Sequence, residues 1–260
     1  MTSVTMASVL RLWCAAAVLA AAGLGPDRSA LSAQSLQGAY ARVMYHKVAP
    51  GREADFERAM RDELKPLYRA QRNVANWMLY RVHLTGTTDE YNYAAVSYHD
   101  AWAGAQEPGA WRDPALRKVE AVGPMVRQAL YARIDFVARQ PPAPFKYAVL
   151  DFMKVKPGMV DDYLKVERED WKPLHQVLTN EGNRTGWTLW DYAIPGGTGS
   201  SHDFVTTMLF ADYAKIKEAN DAEAFRKAHP NGDLAASVTR TRASRDVIRS
   251  EIWEVVDFLN

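Results

Sequence analysis

Two stretches of alternating residues carry the side chains best suited to chemistry. From Tyr40 to Val48, Arg42, Met44 and His46 share one face of a strand-like run and Ala41, Val43 and Tyr45 the other, because successive side chains of a strand point to opposite sides. Phe145 to Lys156 repeats the arrangement, with Val149, Asp151 and Met153 opposite Ala148, Leu150 and Phe152. The more apolar set, Ala41, Val43 and Tyr45 with its counterpart, is expected to pack on helices, which leaves the other face for a cavity. A carboxylate there, Asp151, would have its pKa raised by apolar surroundings and so could take a proton from a phenol or enol. A histidine there, His46, could act as base or ligand. Asp151 and His46 are therefore the candidate catalytic residues, with Arg42, Met44 and Met153 lining the site. The same residues also admit a purely structural reading, in which Arg42 and Asp151 form an ion pair and His46 makes an interior hydrogen bond.

The elements that must position these residues come in duplicate. Val48-Ala49-Pro50-Gly51 leads into a charged helix reaching Lys65-Pro66-Leu67, and Val155-Lys156-Pro157-Gly158 leads into one reaching Lys172-Pro173-Leu174. Each proline removes a helix donor and clashes with the carbonyl four residues back, so each helix should kink or restart there. Around the helix Glu53–Tyr68, strand-like runs at 40–48, 77–84, 91–99 and 130–137 and a helix at 114–128 give the order β-α-β-β-α-β. Gln140-Pro141-Pro142-Ala143-Pro144 is a stiff linker. The order then recurs, with strands at 145–156, 187–193, 204–210 and 248–258, a helix at 159–180 and a helical region at 212–246 broken at Pro230-Asn231-Gly232. Arg249, Trp253, Asp257 and Phe258 of the last strand match Arg127, Tyr131, Asp135 and Phe136. The fold class expected is α+β, built from two tandem ferredoxin-like units over 38–139 and 145–260.

Bulk composition narrows the function classes. The chain has 260 residues, 48% of them hydrophobic, and 32 Lys and Arg stand against 31 Asp and Glu, a net charge of +1 that recommends neither nucleic acid nor an anionic membrane as partner. Residues 1–33 read as a secretory signal: Arg11 precedes an apolar, alanine-rich run from Leu12 to Leu24 that is short for a membrane span, with small residues near Ala33 for cleavage. A periplasmic or secreted protein is expected, with no membrane association once the signal is removed. Cys14, the only cysteine, falls inside that segment, so thiol catalysis and cysteine-ligated metals are not expected.

Val-x-Pro-Gly after the first strand of each half, Tyr98-His99-Asp100-Ala101-Trp102 and Phe210-Ala211-Asp212-Tyr213-Ala214 carry a resemblance. The chain resembles the dimeric α+β barrel superfamily, which includes antibiotic-biosynthesis monooxygenases, NIPSNAP-like and EthD-like proteins and a haem-handling branch. The resemblance implies that the two halves pair as an α+β barrel within one chain, with sheets face to face around a cavity lined by Trp, Tyr and Met. It places Met44 and Asp151 at the polar strand-one position of the monooxygenases. It also makes Trp102 a pocket-lining residue, with Tyr213 in its place in the second half, although both aromatics can equally anchor a helix in the core. His175 and His229 are the histidines through which haem would bind; otherwise each reads as an exposed helical residue.

No Gly-x-Ser-x-Gly elbow or dinucleotide fingerprint is present, no histidine pair has metal-ligand spacing, and Gly196-Gly197-Thr198-Gly199 leads into a strand rather than a helix. What remains is a protein that handles a small apolar or aromatic molecule. The resemblance implies a cofactor-independent monooxygenase acting on an aromatic or polyketide-like substrate, with no metal and no cofactor. A non-catalytic ligand-binding or assembly protein is the alternative, a haem-binding protein the third, and a homodimer is admitted.

Overall fold

The computed structural model describes residues 38–83, 90–106, 113–197, 199–218 and 221–259. The signal segment expected at 1–33, with Cys14, lies outside them. The first half runs β1 (Tyr40–His46), α1 (Glu53–Ala59), a π-helical turn (Met60–Leu64), α2 (Lys65–Ala70), β2 (Asn76–His83), β3 (Tyr93–His99), α3 (Trp102–Gln106), α4 (Pro114–Glu120) and β4 (Met125–Ala138). The second runs β5 (Tyr147–Val155), α5 (Val160–Val166), a π-helical turn (Glu167–Trp171), α6 (Lys172–Asn180), β6 (Gly186–Ile194), β7 (Phe204–Phe210), α7 (Lys215–Glu218), α8 (Asp221–Ala228), α9 (Leu234–Ser244) and β8 (Arg245–Phe258). No described helix is long and apolar enough to cross a membrane. β4 begins inside the range expected to be helical, because Gly123 and Pro124 end α4 early.

The repeated Lys-Pro-Leu motif has a structural explanation. Pro66 and Pro173 cannot donate to the preceding turn, so the helix widens to π geometry just before each motif and restarts as α-helix at its lysine. Lys65 Nζ then reaches Asp257 Oδ1 at 2.7 Å and Lys172 Nζ reaches Asp135 Oδ1 at 2.7 Å. Each lysine therefore ties its helix to the long last strand of the other half. Upstream, Gly51 and Gly158 adopt φ of +82° and +79° in the Pro-Gly turns, a conformation that side chains resist.

The eight strands of the described residues form one closed antiparallel barrel in the order β1-β3-β2-β8-β5-β7-β6-β4. Closure depends on β4 and β8, each of 14 residues. The start of β4 pairs with β1 and its end with β6, while the start of β8 pairs with β5 and its end with β2. No strand is left with a free edge.

The strand faces lie opposite to expectation. Ala41, Val43 and Tyr45, with Ala148, Leu150 and Phe152, point into the barrel and join Tyr80, Tyr98, Tyr131, Trp190 and Trp253 in its core. This interior is full: the space left within it is about 40 Å³, room for a few water molecules at most. Arg42, Met44 and His46, with Asp151 and Met153, face outward instead, toward the helices. β1 and β5 stand on opposite sides of the barrel, so Arg42 and Asp151 cannot pair. Both faces of these strands are covered, which is why relative polarity did not reveal which one met the helices.

A buried carboxylate lies inside the barrel. Glu251, 1% exposed, accepts from Tyr91 Oη at 2.6 Å, Arg249 Nε at 2.7 Å and Trp253 Nε1 at 2.8 Å, a set that joins the two halves. Glu251→Leu strands Arg249 without its carboxylate and should lower stability by about 3–5 kcal/mol, read from the urea midpoint by tryptophan fluorescence.

Candidate functional site

With the barrel filled, space for a ligand lies between sheet and helices. In the first half that space is occupied. Met44, Phe56, Met60, Leu64, Tyr68, Trp77 and Leu79 form a closed apolar cluster under α1 and α2. In the second half the corresponding region holds a cavity of about 200 Å³, lined by Asp151, Met153, Glu167, Trp171, Leu174, His175, Arg184, Thr206, Met208, Asp221 and Arg245. It opens to solvent beside Asp221, whose side chain is 58% exposed.

The two halves can be compared position by position. Asp151 stands where Met44 does, and its pairing row is Thr206 and Ser250 in place of Ala95 and Gln128. The register that superposes the Lys-Pro-Leu motifs puts Glu167 on Met60, Trp171 on Leu64, His175 on Tyr68 and Tyr163 on Phe56. Strand register likewise sets Arg184 against Val74 and Arg245 against Gly123. A Cβ at Gly123 would lie 2.5 Å from the Phe56 ring, so the first half has no room for a side chain where the second carries a guanidinium. The acid, base and cation of this cavity thus replace apolar residues or glycine in one shared scaffold.

The electrostatics follow from burial. Glu167 is 3% exposed, and loss of water pushes its carboxyl up to about 7 against the opposing pull of Arg245. Asp151 is half-buried; desolvation raises its pKa too, opposed by a short hydrogen bond from Ser250 Oγ and by Arg245 and Arg184. Arg184, 5% exposed, donates through Nη1 to His175 Nδ1 and through Nη2 to Asp221 Oδ1 at 3.0 Å. An arginine can only donate, so His175 Nδ1 must accept and Nε2 carries the proton. Burial and the Arg184 charge hold His175 neutral, with its pKa far below the usual value, and its ring stacks on Trp187 at 5.0 Å.

The structure sorts the sequence candidates. Asp151 and Met153 line the cavity. Met44 belongs to the filled cluster of the first half. Arg42 is half-buried on that same outward face, beside Tyr68. His46 is fully buried, packs on Phe56 at 5.1 Å and holds the Gly123 carbonyl oxygen through Nδ1 at 2.8 Å. It lines none of the described cavities and is a core histidine rather than a catalytic one. Trp102 and Tyr213 occupy equivalent posts, packing edge-on against Tyr40 at 5.4 Å and Tyr147 at 5.5 Å, and neither lines the cavity. His175, expected at the surface, is buried in it. Glu167, Arg184 and Arg245 were missed; their signal was the difference from Met60, Val74 and Gly123 at the matching positions of the first half.

The donor set does not suit haem. The ring lone pair of His175 is taken by Arg184, which leaves Nε2 protonated. His229 stacks on Phe225 at 4.6 Å, and its Nε2 lies 2.9 Å from the Asp170 carbonyl oxygen, away from the cavity lining. Among the described residues no group of three or more His, Cys, Asp or Glu is placed to hold a metal ion.

No family model and no curated protein matches the chain. Solved structures do. A candidate monooxygenase from Fusobacterium nucleatum superposes with a TM-score of 0.58 at 12% identity, over 85% of this chain and 94% of that one. An anthrone oxidase-like protein matches with 0.51 at 15% identity, over 85% and 92%. A haem-binding protein from Thermus thermophilus matches with 0.50 at 9% identity, over 85% and 92%. At these identities the likeness establishes the mixed α+β barrel fold.

His46 generates a prediction. Burial lowers its pKa from 6.5 to about 4, so the unfolded chain binds the proton more readily and stability is lost as pH falls from 6.5 toward 4, by up to about 3 kcal/mol. His46→Met, which installs the residue found at Met153, should flatten this part of the acid-unfolding profile, followed by circular dichroism, without changing ligand binding or turnover.

Proposed function

We propose that the protein is an oxidative enzyme acting on a small aromatic molecule, with its active site in the cavity beneath α5 and α6 and Glu167 as the proton acceptor. The barrel in this reading is a tandem duplication of a ferredoxin-like unit, one copy kept as scaffold and the other opened for chemistry. The observation that carries it is the replacement of a sealed apolar cluster by buried ionisable groups around about 200 Å³ of open space. An engineered cavity of roughly 150 Å³ is known to take benzene, so this one suits a single substituted ring. The monooxygenase and oxidase-like descriptions of structural neighbours support the oxidative class. The periplasmic or secreted location inferred from residues 1–33 is part of the same proposal.

The chemistry needs no bound cofactor. A carboxyl held near 7 accepts a proton at neutral pH and can return it. Removing a proton from an activated ring CH₂ or a phenol leaves an electron-rich anion able to reduce dioxygen. For a CH₂ group, one oxygen atom enters the product as a carbonyl and the other leaves as water with the two hydrogens; a hydroquinone gives two electrons and two protons to dioxygen, forming the quinone and hydrogen peroxide. Asp151, fixed by Ser250, adds negative charge that favours the protonated form of Glu167. His175 Nε2–H is available to donate to substrate oxygen.

Oxygen uptake over a panel of hydroquinones and activated ring-CH₂ ketones tests this reading. Uptake should rise with pH around a midpoint near 7, and Glu167→Gln should reduce it by about 10²–10⁴-fold. The folded state favours protonated Glu167, so the wild-type protein loses stability as pH rises from 4.5 to about 7. Glu167→Gln should therefore melt higher than wild type at pH 8. Uptake that survives Glu167→Gln would overturn the assignment. A parent protein inert across the panel would instead favour the non-catalytic binding reading.

A further inference from the structure

The cavity in the second half is lined by two arginines, each with a buried donor that no protein acceptor meets. Arg184 Nε is buried without a partner, although the other two nitrogens of its guanidinium are engaged by His175 and Asp221. Arg245 Nε is also buried without a partner, and the Arg245 charge acts on both Asp151 and Glu167. Tyr163, a residue with no exposed surface, sets its hydroxyl beside Glu167 behind the cavity wall. His175 Nε2 carries a proton because Nδ1 accepts from Arg184. Buried donors left unsatisfied are costly, and several gathered at one cavity call for an acceptor that the protein itself does not supply. None of this recurs in the first half, where Val74, Gly123 and Phe56 occupy the matching positions.

We propose, building on the active-site reading above, that this cavity recognises an anionic oxygen, a carboxylate or its equivalent on a single aromatic ring, held between Arg184 and Arg245. Guanidinium groups suit planar carboxylates because their N–H donors lie in a fixed fork. Met153, Trp171, Leu174 and Met208 supply the apolar wall for the ring. The carboxylates of the cavity do not preclude an anion. Asp151 already accepts from Ser250, and Glu167 can hold a proton beside a bound negative charge. Asp221 lies toward solvent on the far nitrogen of Arg184, where it anchors the guanidinium and leaves Nε free.

Benzoate and benzamide, equal in shape and different in charge, are the probes. Isothermal titration of the full-length protein at pH 7.5 should show benzoate binding at least tenfold more tightly than benzamide. Arg245→Met should weaken benzoate at least tenfold and leave benzamide within twofold. The comparison on unaltered protein holds even if the variant fails to fold. Benzamide binding as tightly as benzoate, benzoate affinity unchanged in Arg245→Met, or no binding of either probe would each overturn the proposal. The two readings can fail separately. Equal binding of the probes with Glu167-dependent oxygen uptake intact removes anion recognition and keeps the enzyme. Anion-selective binding with uptake indifferent to Glu167→Gln keeps the anion site and removes the role of Glu167.

Discussion

The constraint on which the rest of the molecule depends is closure of the sheet by two long strands. β4 and β8 each begin against their own half and end against the other, so the described strands form a ring in which each has a neighbour on both sides. Lys65 to Asp257 and Lys172 to Asp135 repeat the crossing at side-chain level, and Glu251 repeats it inside the barrel. Once closed, the barrel fills with tyrosine and tryptophan. The ring-sized cavity of the second half lies outside the sheet, under the helices.

That requirement makes the difference between the halves meaningful. The two halves bury matched positions, yet one buries Met60 and Tyr68 where the other buries Glu167 and His175. Burying a carboxyl that prefers to ionise costs free energy, visible in a Glu167 pKa moved to about 7. The fold can carry that cost in one half because the other half and the barrel supply apolar burial. The π-helical turn sharpens the contrast: Glu167 opens it in the second half and Met60 in the first, so the proline-driven widening of the helix presents a residue toward the sheet in both.

The errors of the sequence reading have a common cause. Assigning Ala41, Val43 and Tyr45 to the helices and Arg42, Met44 and His46 to a cavity rested on the more apolar face being the one under helices. In a closed barrel both faces are buried, and the interior takes the aromatic set. His46 and Asp151 still emerged together because they share a register position or its neighbour. Only Asp151 has space beside it, since Phe56 fills the corresponding volume near His46.

The sequence by itself determined the order of strands and helices and the matched positions at which the two halves differ, because periodicity, Pro-Gly turns and the Lys-Pro-Leu motif are local features that a single chain displays. It also singled out Asp151. Only the tertiary structure decided which strand face looks inward, which half is open, and that Glu167, His175, Arg184 and Arg245 converge on Asp151. These residues come from four separate elements and the loop before β6, and their meeting depends on strand register around a closed barrel, which no stretch of sequence encodes locally.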